Sequence, residues 1–114
     1  MQLLILFLKQ VDKLNELLKV LAQNSVKGGT IVDARGMGES LAEMEDIPVF
    51  GFLRQYTNLD HNENTKLLMM AIKDDEVVRT ANLIKGVIGD LNKPNSAVLI
   101  TLPIMYCEGI ADQK

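Results

Sequence analysis

One unit occurs twice in this chain, and it constrains the fold more than any other feature. LLILFLK precedes VDKLNELL, and KLLMMAIK precedes DDEVVRTANLI; each is an apolar run, a lysine, an acidic helix start and an amphipathic helix. Residues 3–8 form a continuous apolar stretch ended by Lys9, the pattern of a central strand covered on at least one face. From Val11 the period changes. Val11, Leu14, Leu17, Leu18 and Leu21 recur at helical spacing, while Asp12, Lys13, Glu16, Lys19 and Gln23 occupy the opposite face. This predicts a helix of about three turns, ending near Asn24 and Ser25, with Gly28 and Gly29 as its flexible exit.

In the second unit Leu67, Leu68, Met69, Met70, Ala71 and Ile72 make the strand, with both methionines read as packing residues. Asp74 and Asp75 stand where an N-cap and a first-turn carboxylate are favoured. Val77, Val78, Ala81, Ile84, Val87 and Ile88 then mark a helix face. Each unit leads into another strand: Thr30, Ile31, Val32 and Ala34 after the first, and residues 97–103, rich in Val, Ile, Leu and Thr, after the second. The order is β-α-β-β-α-β. It predicts an α+β, ferredoxin-like domain in which two helices cover one face of an antiparallel four-stranded sheet. At 114 residues the chain has room for one such domain, 1–114.

Between the halves, residues 36–63 show no sustained period and read as a long loop after the second strand. Loops of that length in compact domains are commonly functional, so residues 39–62 are the expected contact with a protein partner. Within them, Ile47, Pro48, Val49, Phe50, Gly51 and Phe52 form an apolar cluster. Such a cluster either anchors a partner or packs as a short strand on its own subunit or a neighbour.

Little in the sequence suggests catalysis. His61 stands in the polar stretch Asp60-His61-Asn62-Glu63 and reads as an exposed loop residue. Cys107 has Glu108 beside it and no basic neighbour to lower its pKa, so it reads as an inert thiol. Glu39, Glu43, Glu45 and Asp46 lack the ligand pattern of a calcium loop and read as a solvated acidic face, so no metal site is expected. A net charge of −3 without a dense Lys/Arg cluster points away from nucleic acid and from anionic membrane. The six-residue run 3–8 is too short for a membrane span. One cysteine allows no intramolecular disulfide, which fits a reducing, cytoplasmic setting.

Several short stretches, in order along the chain, resemble the nitrogen regulatory protein PII family. Val26-Lys27-Gly28-Gly29-Thr30 is similar to that family's Val-Lys-Gly-x-Thr entry to the second strand. Gly36-Met37-Gly38 is similar to the turn that precedes its long loop, Asp74-Asp75 to its acidic helix start, and Leu102-Pro103 to the close of its last strand. The resemblance implies a homotrimer that is a regulatory protein and not an enzyme. It also implies a nucleotide (ATP, ADP or AMP) in clefts between subunits, with the long loop reporting to a protein target. Thr30, Gly36, Met37 and Gly38 would then line one side of the cleft, and Gly89, Asp90 and Lys93 the other.

Glycines at such a turn either let backbone N–H groups approach a phosphate or simply supply positive φ. The second loop, Gly89-Asp90-Leu91-Asn92-Lys93, keeps the family's Gly-Asp but not the Gly-Lys that follows it. The arginines beyond the last strand are also absent, since only Lys114 is basic after Lys93. A polyphosphate meets few cations there, which shifts the expectation towards a less charged ligand such as AMP, or no ligand at all. The alternative with the same topology resembles the divalent-cation tolerance proteins: a trimer with a structural or metal-related role and no nucleotide.

Overall fold

The computed structural model describes residues 1–42, 44 and 65–110. The chain runs β1 (Gln2–Leu8), a 3-10 turn (Val11–Lys13), α1 (Leu14–Gln23), β2 (Thr30–Ala34) and α2 (Met37–Ala42). It continues through β3 (Thr65–Ile72), a second 3-10 turn (Asp74–Glu76), α3 (Val77–Ile88) and β4 (Ala97–Pro103). The strands form one sheet in the order β2-β3-β1-β4, and every neighbouring pair is antiparallel. With α1 and α3 on one face, this is the ferredoxin-like α+β arrangement expected from the duplicated unit.

The apolar run of β1 follows from its place at the centre, between β3 and β4. Successive side chains of a strand point to opposite faces. Leu4, Leu6 and Leu8 turn to the helices and are fully buried, joining Leu68, Met70 and Ile72 of β3, Leu17 and Leu21 of α1, and Ile84 and Ile88 of α3. Each leucine so buried contributes roughly 1.5–3 kcal/mol. This single cluster is the core.

Three local expectations are corrected. Met69 and Met70 do not share the core, because neighbours on a strand cannot face the same way; only Met70 enters it. Val78 is 71% exposed, and the buried position one turn into α3 belongs to Thr80. Neither 74 nor 75 caps α3: no side chain caps the Asp74–Glu76 turn or α3, and the Asp74 carboxylate instead lies 3.0 Å from the Met1 ammonium.

The exit from α1 also uses a different residue from the one expected. The amide of Val26 donates to the carbonyl of Leu21 at 2.8 Å, and the amide of Ser25 to that of Ala22 at 3.1 Å. This is a Schellman closure, whose left-handed position normally goes to glycine. Here Ser25 holds it, at φ 65°. Val26, the next residue, packs against the core.

Candidate functional site

The turn 36–38 is the start of a helix. Gly36 accepts the Ser40 amide at 3.1 Å, the first bond of α2, and Gly38 lies inside that helix. Neither glycine therefore serves a positive-φ turn, and the loop expected from residue 36 begins with a helix through Ala42. Met37 projects 77% exposed. The rest of the expected partner-contacting segment, including His61 and the cluster 47–52, lies outside the described residues, apart from the exposed Met44.

The loop after α3 is wound by its own hydrogen bonds. Gly89 ends the helix at φ 92°, ψ −151°, with its amide donating to Lys85. Asp90 turns back on the chain: its Oδ1 accepts the Asn92 amide at 3.0 Å, and its carbonyl accepts the Lys93 amide at 3.3 Å. Such an Asx turn gives the Asp90 side chain a structural task. Lys93 remains exposed. Beyond it, Ser96 is buried and its hydroxyl has no hydrogen-bond partner among the described residues.

Sheet order decides which of these residues can meet. Gly36 follows β2 at one edge of the sheet, and the 89–93 loop precedes β4 at the other. Three strand spacings separate the edges, about 14 Å. Thr30 starts β2 and pairs with Met69, so it lies at the far end of that strand from Gly36. One subunit therefore does not gather the expected residues into one cleft.

The larger feature went unread in the sequence. On the face away from α1 and α3 the register places Leu3, Ile5 and Phe7 beside Leu67, Met69 and Ala71, with Val98, Ile100 and Leu102 on one flank. Thr30, Val32 and Ala34 form the other flank. No charged residue occupies any of these positions. The core cluster includes none of them, and at the flanks Val32, Val98, Ile100 and Leu102 are exposed. The signal was present in β1: an antiparallel strand apolar at every position needs cover on both faces, not one.

Among the described residues no group of three or more His, Cys, Asp or Glu side chains could hold a metal ion, and no helix is long and apolar enough to cross a membrane. Cys107 is exposed.

No family model and no curated protein matches the chain. A solved structure, described as a functionally unknown protein from Pediococcus pentosaceus ATCC 25745, is similar at 17% identity and a TM-score of 0.61, over 96% of each chain. At that identity the likeness shows a shared fold alone.

Proposed function

We propose that the chain is a subunit of a PII-like regulatory homotrimer. In this reading it senses a small metabolite, an adenine nucleotide such as AMP first among them, in clefts between subunits, and signals to a protein partner through residues 39–62. The uncharged face of the sheet that neither α1 nor α3 covers carries the reading. Apolar side chains from all four strands share that face, over an area of roughly 400 Å². An apolar patch of this size is often functional. Other copies of the chain are the occupant we favour, because the edge loops at Gly36 and Gly89 are too far apart to share a ligand within one subunit. Joining edges of neighbouring subunits brings such loops together.

A cytoplasmic setting belongs to the same proposal, supported by the single cysteine. Sedimentation equilibrium on the full chain, followed by calorimetry with ATP, ADP and AMP, is the test. A trimer that binds one of them with one site per subunit interface is the expected result. A monomer at micromolar concentration overturns the assembly, and a trimer silent to all three overturns the nucleotide.

A further inference from the structure

At the end of the sheet away from Gly36 and Gly89, a cavity of about 500 Å³ opens between the α1–β2 connection, the β3–α3 junction and the segment after β4. That volume lies within the range of small-molecule sites. Its apolar wall includes Val26, Ile72 and Ile110. Its charge comes from Lys27, Lys73 and Arg79 against one carboxylate, Glu76. The result is a local excess of positive charge in a chain whose formal charge is −3. The Met1 ammonium beside it is taken up by Asp74 at 3.0 Å.

Two residues at this cavity, Arg79 and Thr80, carry polar groups. The Arg79 guanidinium is aimed by two contacts, one to the Asn24 carbonyl and one to Glu76 Oε2 at 3.3 Å. A guanidinium carries five N–H donors, so these two contacts leave others for a ligand. Thr80 lines the same cavity, is wholly buried, and its Oγ1 has no hydrogen-bond partner among the described residues. A buried hydroxyl without a partner is unfavourable, and valine would fill the same space on α3 without that penalty.

We infer that this cavity is a binding site for a small organic carboxylate with an apolar body. The cations hold the anionic group, and the wall of Val26, Ile72 and Ile110 takes the hydrocarbon. A carboxylate suits the site better than a phosphate ester because one of the three cations is already offset by Glu76. The site does not depend on the regulatory reading above: it lies at the other end of the strands, and trimerisation or nucleotide binding can fail without affecting it.

The test is amide NMR titration of the full chain with benzoate, 3-methylbutanoate, phenyl phosphate, inorganic phosphate and benzylamine. The two carboxylates are expected to give saturable shifts around residues 25–27 and 73–80 at millimolar concentration, and benzylamine none. The double variant Lys27→Gln/Lys73→Gln alters two exposed side chains and is expected to weaken benzoate about tenfold. No saturable response to either carboxylate, an equal response to benzylamine, or unchanged affinity in the double lysine variant overturns the site. Saturation by the phosphates alone overturns the ligand class.

Discussion

Ile5 of β1 lies directly opposite Ile100 of β4, on the sheet face that neither α1 nor α3 covers. Both belong to a patch without a charged member, and Ile100 is 39% exposed at its flank. A carboxylate placed there leaves the core untouched but must be desolvated if another subunit docks. On the proposed assembly, Ile100→Asp is therefore expected to sediment as a monomer while the natural chain sediments as a trimer, with the same far-ultraviolet circular dichroism. A natural chain that is itself monomeric removes the basis of this prediction and of the assembly.

Gly89 ends α3 in a region of backbone space that side chains essentially do not enter, at φ 92° and ψ −151°. A Cβ there meets nothing within 4 Å, so any cost is conformational and not steric crowding. Gly89→Ala is expected to lose about 1–3 kcal/mol in urea unfolding. A loss below that range would mean the loop relaxes into another turn.

Ser25 poses the opposite case. It holds the left-handed position of the α1 closure at φ 65°, where glycine is the less strained residue. Ser25→Gly is expected to stabilise the chain by about 0.5–1 kcal/mol, after allowing for the greater freedom of glycine in the unfolded state. Chemical denaturation reads the difference directly.

The Asp74 carboxyl is held below its ordinary value of 3.8, first by its hydrogen bond with the Met1 ammonium, then by one with Gln2 and by the ammonium's charge. A carboxyl whose folded-state pKa is lowered adds stability that is fully present above the unfolded value and is lost as pH falls through the folded one. Asp74→Asn is therefore expected to unfold at lower urea than the natural chain at neutral pH. The two midpoints should converge as the pH drops below 3.8. A constant gap across that range would assign the effect to something other than this ion pair.

Much of the fold was legible because the duplicated unit states it locally. The strand at 97–103 and the strand at 30–34 fall where composition placed them. The site was less legible, for reasons that differ by residue. Gly36 and Gly38 suggest a turn only when Ser40 is overlooked as the partner of the Gly36 carbonyl. Asp90 reads as a ligand group by resemblance alone, and the sequence does not show that its Oδ1 accepts the Asn92 amide. Thr80 could not be chosen from sequence, because a threonine among Val77, Val78 and Ala81 looks like a break in the apolar face and not a member of it.

Periodicity by itself determined the order β-α-β-β-α-β and most of the buried stripe of each helix, because the alternation of strands and the turn of helices are properties of neighbouring residues. Which strands adjoin is a matter of distant residues meeting. Only the tertiary structure placed β1 between β3 and β4, and so turned an apolar run into a strand that fills the core with Leu4, Leu6 and Leu8 and leaves Leu3, Ile5 and Phe7 for the open face. The same placement set Gly36 and Gly89 at opposite edges and brought Lys27, from the α1–β2 connection, to one cavity with Lys73 and Arg79 of the β3–α3 junction.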